Sequence, residues 1–206
     1  KEVGCGGEQP VGGLGAAGGA GELSALPAGG GLQVGGATVE ETAGRAPVIA
    51  GGGFAGGVAK RLARQAADCG ADGVLAFPPY YPNAEMDGLV VFYSSIAEMS
   101  GLGVLIYSRD WANYTPAQAE CLAEIPNVVA WKDGSADIRR YQMIRQRLSD
   151  RLHWIGGAGD DMVPGYYAIG IRTYTSSISA VAPKLSVKLH ELGAVGDSVA
   201  LNQLVN

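Results

Sequence analysis

Six short apolar runs recur at a nearly constant interval, and that rhythm restricts the chain to very few folds. They are Pro47 to Gly51, Gly73 to Phe77, Gly103 to Tyr107, Val128 to Lys132, Leu152 to Gly156 and Thr173 to Ser177, with starts 26, 30, 25, 24 and 21 residues apart. Each has the length of a strand, and the residues between them carry helical patterns. Val58, Leu62 and Ala66 share one helix face, and Gly70 is suited to end that helix. Thr115-Pro116-Ala117-Gln118 reads as a helix start, with a hydroxyl cap, proline at the first helical position and a glutamine able to close a capping box. Ile138, Met143 and Ile144 supply the apolar stripe of the next helix, and Leu185, Leu189 and Leu192 that of the last. Strands and helices alternating at this period predict parallel strands joined by right-handed crossovers. The fold class is therefore α/β, as an open doubly wound sheet or a (β/α)8 TIM barrel. With 206 residues, 47% of them hydrophobic, one sizeable core and a single (β/α) domain over residues 1–206 are expected.

The front end departs from this pattern. Residues 1–57 hold 20 of the 33 glycines, among them Gly29-Gly-Gly31 and Gly35-Gly36, where the rhythm calls for a helix. Each interior glycine costs a helix about 1 kcal/mol relative to alanine, so five threaten it unless packing compensates; either this front end is unusually plastic, or some of its glycines do not reflect the native side chains. Gly51-Gly-Gly-Phe-Ala-Gly-Gly57 follows a strand and precedes a helix, as a phosphate-binding loop would. It lacks the Gly-Lys-Ser/Thr ending of a P-loop, and a G-x-G-x-x-G match carries little weight in so glycine-rich a stretch.

Charge and cysteine usage exclude several functions. A net charge of -5 with no basic run argues against nucleic acid as a partner. Arg139, Arg140, Arg145, Arg147 and Arg151 are interleaved with apolar residues and read as a solvated helix face. No apolar stretch approaches the roughly 20 residues of a membrane span, and the N-terminal residues lack a signal-peptide pattern, so a cytoplasmic protein is expected. Cys5, Cys69 and Cys121 form no disulfide or zinc pattern, and His153 and His190 are too few and too far apart for a metal site or triad.

Lys132 closes Val128-Val-Ala-Trp-Lys132, a run that otherwise reads as a buried strand, with Asp133-Gly134-Ser135 supplying the turn. An ordinary lysine, with pKa ~10.4, is only about 0.04% free amine at pH 7, a handicap of roughly 4.6 kcal/mol for a nucleophile. Apolar burial can remove much of that handicap by disfavouring the charged form, and this is how imine-forming lysines arise. The competing reading is a packed stem with its head snorkelling to water. Tyr107 ends the preceding strand at the corresponding position, so the two side chains can share a pocket, where a phenol could move protons during imine formation. The backbone amides of Gly18-Gly-Ala-Gly-Glu22, after a strand candidate around Val11 to Ala17, could bind a carboxylate.

In their order and spacing, Gly18-Gly-Ala-Gly-Glu22, Pro78-Pro-Tyr-Tyr81, Tyr107 and Trp131-Lys-Asp-Gly134 resemble the dihydrodipicolinate synthase/N-acetylneuraminate lyase superfamily over nearly the whole chain. Val39 to Gly51, Tyr107 to Asp110, Lys132 to Ile138 and Tyr174 to Ser177 are most similar to its 5-dehydro-4-deoxyglucarate dehydratases. The resemblance implies a (β/α)8 barrel, here without the first strand and the C-terminal helices, and a class I, Schiff-base lyase working as a homo-oligomer, dimer or tetramer. By resemblance, Lys132 forms the imine and Tyr107 relays protons. Gly19, Ala20 and Gly21 hold the carboxylate of a 2-keto acid through their amides, and the place of the family's basic residue for a substrate carboxylate falls at Asn113 or Ala112, with Arg109 as its substitute. Gly157, Ser176 and Ser177 line the pocket, and Tyr81 reaches toward a neighbouring subunit. Ala20 stands where the family commonly has threonine, and Asn113 or Ala112 where it has a basic residue. No metal or organic cofactor is implied, because the lysine is itself the electron sink. Decarboxylating dehydration of 5-dehydro-4-deoxyglucarate is the expected reaction, with a pyruvate-dependent aldolase and a non-catalytic barrel that binds a small acid as alternatives.

Overall fold

A computed structural model describes residues 12–16, 22–26 and 29–206. Seven strands run in chain order: β1 (Leu14–Ala16), β2 (Val48–Gly52), β3 (Gly73–Ala76), β4 (Gly103–Ser108), β5 (Val128–Asp133), β6 (His153–Gly156) and β7 (Thr173–Tyr174). Helices α1 (Gly30–Thr42), α2 (Gly56–Asp68), α3 (Met86–Ser100), α4 (Pro116–Ala123), α5 (Ile138–Leu148) and α6 (Val163–Ala168) fill the intervals between them, and α7 (Pro183–Val195) and α8 (Ser198–Val205) follow β7. The strands form one sheet in the order β1 to β7, and each neighbouring pair is parallel. A doubly wound sheet reverses its strand order at a switch point, whereas successive order throughout is the barrel arrangement. The choice left open by the sequence rhythm is thus decided for the barrel type.

Both faces of the sheet are apolar, as parallel strands with crossover helices require. Val104 and Ile106 of β4 and Val128 and Trp131 of β5 face the helices and pack with Ala59, Ala63, Tyr93, Ile96, Leu122 and Ile144. On the opposite face Leu75, Phe77 and Tyr107 cluster with Ile49 and Leu105. Tyr107 therefore points away from the helix layer because it alternates with Ile106.

Several boundaries and stripes differ from expectation. On α2 the buried stripe is Ala59, Ala63 and Ala66, with Val58 and Leu62 at its margin, so methyl-sized residues set a close distance to the sheet. On α5 Tyr141, Ile144 and Leu148 are buried, whereas Met143 is exposed. The glycine-rich segment 30–42 forms a continuous helix. Close packing supplies the compensation, since a Cβ on Gly35 would lie 2.9 Å from Cys69 Sγ beside α2. The glycine run after β2 has a similar cause at Gly53, where φ is +153° and a Cβ would lie 2.6 Å from Phe77 Cβ. That is a close approach between the ends of neighbouring strands, which only a residue without a side chain permits.

Candidate active site

Lys132 lies on β5 directly opposite Tyr107 on β4, and the two are 4% and 5% exposed. The lysine Nζ is 3.9 Å from the centroid of the Tyr107 ring. This pairing depends on a register slip. Val104 pairs with Val128, and plain counting would set Tyr107 against Trp131, but Leu105 pairs with Ala130, so one extra residue of β5 is accommodated. The slip leaves Trp131 facing the helices and turns Lys132 to the face that carries Tyr107.

Two glycines shape the space around this pair. A Cβ on Gly157 would lie 2.7 Å from Lys132 Cε and 2.8 Å from Cγ, so the lysine stem runs across the bare backbone of residue 157. A Cβ on Gly134 would lie 2.8 Å from Tyr107 Cε2 and 2.9 Å from its hydroxyl oxygen. The Tyr107 hydroxyl donates to the Gly157 carbonyl over 3.2 Å, and Phe77 meets the ring edge-on with centroids 5.4 Å apart. Burial, opposed by the nearby Arg109 and reinforced by Asp110 and Asp133, raises the phenol above its usual pKa. The group is thus a neutral acid at physiological pH, able to donate a proton but not standing as a phenolate.

The turn after Lys132 is held by a buried ion pair absent from the sequence reading. Arg140 Nη2 lies 2.6 Å from Asp133 Oδ2, with side-chain exposures of 14% and 2%. Arg140 is therefore not on a solvated face as expected; its guanidinium turns inward to compensate a carboxylate at the end of β5. Arg151, though exposed, also donates to backbone, to Ala123 O and Val128 O, and Arg145 is half-buried. Only an Asp next to Lys132 at the strand's end, followed by a helix with an arginine in its first turn, hinted at this arrangement.

The remaining candidates fall into three groups. Arg109 sits with Cζ 5.2 Å from the Tyr107 ring centroid and pairs with Asp110 at 2.6 Å. Ser176 and Ser177 follow β7, whose Tyr174 pairs with Gly156. The Ser176 hydroxyl accepts from the Ser179 N–H over 3.0 Å, and Ser177 is exposed. Asn113 donates to Asp110 O over 2.7 Å and borders, with Tyr81 and Trp111, a separate cleft of about 110 Å³ that Lys132 does not line. Tyr81 itself is 78% exposed. The structure thus brings Lys132, Tyr107, Arg109 and Gly157 together and places Asn113 with Tyr81 instead. Gly19, Ala20 and Gly21, like Cys5, lie outside the described residues. Among the described residues no group of three His, Cys, Asp or Glu could hold a metal, and no helix is long and apolar enough to cross a membrane.

Successive parallel strands with helical crossovers define a (β/α) barrel protein, and a buried lysine and tyrosine lie side by side at two of its adjacent strand ends. The chain belongs to the Dihydrodipicolinate synthetase family, which it matches over residues 8–205. It is 38% identical over its full length to a protein of Rhodococcus jostii named "Probable 5-dehydro-4-deoxyglucarate dehydratase", of which it covers 70%. Against "Probable 5-dehydro-4-deoxyglucarate dehydratase 1" of Streptomyces avermitilis it is 36% identical, the match taking in 83% of this chain and 56% of that protein. Among solved structures, the chloride-inhibited dihydrodipicolinate synthase of Acinetobacter baumannii complexed with pyruvate superimposes with a TM-score of 0.90 at 29% identity, covering 100% of this chain and 72% of the other.

Proposed function

We propose that the protein is a Schiff-base lyase acting on a 2-keto acid sugar, with Lys132 as the nucleophile and Tyr107 as the proton relay. The observation that carries this reading is the buried Lys132 ammonium 3.9 Å from the Tyr107 ring, on strands paired at those two residues. The free amine of Lys132 attacks the ketone carbon. The Tyr107 phenol gives a proton to the carbinolamine oxygen, which leaves as water, and a cationic imine results. That cation acidifies the neighbouring C–H. The Tyr107 phenolate takes that proton, giving an enamine, and returns it to the β-hydroxyl as the enamine electrons expel it as a second water. In a decarboxylating dehydratase carbon dioxide then leaves, and hydrolysis of the imine restores the lysine and releases 2-oxoglutarate semialdehyde.

The dehydratase names of the Rhodococcus and Streptomyces relatives favour 5-dehydro-4-deoxyglucarate as the substrate. The pyruvate complex of the Acinetobacter relative favours a second reading, a pyruvate-dependent aldolase built on the same imine. Arg109, whose guanidinium lies beside the Tyr107 ring and pairs with Asp110, would turn to a substrate carboxylate, with hydroxyls from Ser176 and Ser177 and amides from Gly19, Ala20 and Gly21 as the further ligands of this reading. Tyr81 and Trp111 form an exposed aromatic surface suited to a second copy of the chain. Borohydride reduction in the presence of pyruvate or of 5-dehydro-4-deoxyglucarate, followed by peptide mass mapping and turnover assays, tests the reading. Reduction onto Lys132 with turnover of the dehydratase substrate is expected; adducts elsewhere, or none, would overturn the imine chemistry, and turnover of pyruvate with an aldehyde acceptor, without turnover of the dehydratase substrate, would select the aldolase.

A further inference from the structure

We propose that Arg140 is a positioning residue that clamps the ends of β4 and β5 and so fixes Tyr107 relative to Lys132, an inference that rests on the imine reading above. Ser108 and Asp133 are the residues immediately after Tyr107 and Lys132, and they pair with each other across the two strands. One guanidinium reaches both strands. Its Nη2 donates to Asp133 Oδ2 and to Ser135 Oγ, each at 2.6 Å, while Nη1 donates to Tyr114 O at 2.7 Å and to Ser108 Oγ at 3.3 Å. Ser108 Oγ in turn donates to Ala112 O at 3.0 Å, and Ser108 O accepts from Gly134 N–H at 2.8 Å. Arg140 is itself fixed at the start of α5, where its N–H donates to the capping carboxylate of Asp137 at 2.9 Å.

The rigid, planar fork of arginine can satisfy acceptors on two strands at once, which a lysine ammonium or an apolar side chain cannot. The clamp lies on the helix side of the sheet, behind the pair it positions, and touches neither Nζ of Lys132 nor the Tyr107 hydroxyl in any of these bonds. Its effect on chemistry is therefore exerted through the backbone of residues 107–108 and 132–133. Proton transfer from Tyr107 during carbinolamine collapse requires the two side chains to hold their separation, and a misplacement of about 1 Å can cost on the order of 100-fold in rate.

The test compares Arg140→Met, the double variant Asp133→Asn/Arg140→Met, and Arg147→Met, a change on the same helix that removes an exposed pair with Glu120. Each full chain is titrated with pyruvate under borohydride, giving the saturating rate of reduction onto Lys132 and the half-saturating pyruvate concentration; Tm is measured alongside. Arg140→Met lowers Tm, because Asp133 is left as an uncompensated buried charge, and the double variant restores it by neutralising that charge. The saturating rate is expected to fall by roughly 100-fold in both, with half-saturation shifted by no more than about 3-fold. Arg147→Met should match wild type in all three measurements. If Arg140→Met keeps the wild-type rate, or if the double variant regains rate together with Tm, the residue is merely structural and the proposal is wrong. Absence of any Lys132 adduct in wild type would instead overturn the imine reading, and the positioning role with it.

Discussion

Gly157 is where bare backbone runs against the Lys132 stem. The Lys132 stem occupies the volume that a residue-157 side chain would fill, and Asp133 O lies 3.1 Å from the same point. Gly157→Ala should therefore displace the lysine rather than the fold. A loss of about 1–3 kcal/mol in urea unfolding is the usual cost of adding a methyl to a filled site. Borohydride reduction onto Lys132 should fall by about 100-fold through misplacement, and an unchanged reduction rate would show that the stem is not confined there. Tyr107→Phe separates geometry from proton transfer. It keeps the ring beneath Nζ and removes only the hydroxyl bonded to Gly157 O, so stability should change by about 1 kcal/mol. Imine formation should slow by about 100-fold or more. The juxtaposition of Lys132 and Tyr107 is legible in the sequence because a cation at the end of an apolar strand is anomalous and the strand rhythm aligns the two. The closeness of Gly157 to Lys132 is not, since a glycine in a sequence carries no sign of the neighbour that excludes a side chain.

Among the elements, β4 and β5 show what periodicity misses. The strand rhythm sets their ends side by side, yet the slip at Val129 that makes Tyr107 face Lys132 has no signature in a run of Val-Val-Ala. The Thr115 cap is fully legible. Thr115 Oγ1 accepts from Gln118 N–H at 3.3 Å, and Gln118 Oε1 accepts from Thr115 N–H at 2.9 Å, as the T-x-x-Q spacing requires. Thr115→Ala should cost about 1 kcal/mol, measured by urea unfolding. Helix α1 defies its glycine content because propensity alone ignores the neighbour. A methyl on Gly36 would meet only Cys69 Cβ, at 4.0 Å, whereas one on Gly35 would meet Cys69 Sγ at 2.9 Å. Gly36→Ala should therefore raise stability by about 1 kcal/mol, the helix-propensity gain of alanine. Gly35→Ala should yield no such gain until Cys69→Ala removes the sulfur, and a double-mutant cycle without coupling between 35 and 69 would refute that account.

Across the molecule, the buried tyrosines tie the helix layer to the sheet and make the whole fold sensitive to base. Burial raises the phenols of Tyr93, Tyr107, Tyr114, Tyr141, Tyr166, Tyr167 and Tyr174, with Tyr114 pushed up to about 12. Tyr93 and Tyr114 share a hydroxyl–hydroxyl bond of 2.8 Å between α3 and the loop before α4, and Tyr141 donates to Trp131 O and Ile155 O on two strands. Their folded-state pKa values lie above the unfolded value of about 10, so the native state binds more protons than the unfolded state once the pH exceeds about 10. The sign of the linkage is then fixed. Stability is unaffected by these groups below about pH 10 and declines above it, by up to about 1.4 kcal/mol per pH unit for each of the deeply buried Tyr93, Tyr114 and Tyr141 while it stays protonated in the native state, and by less for the other four, which solvent screens. Because several titrate together, unfolding should become steep above about pH 10, and tyrosinate absorbance should rise in the same step as the loss of helical circular dichroism. Were these phenols to ionise in a native protein whose dichroism is unchanged, they would be accessible to water, and the packing that joins α3, α5 and α6 to the sheet would have to be looser than the structure describes.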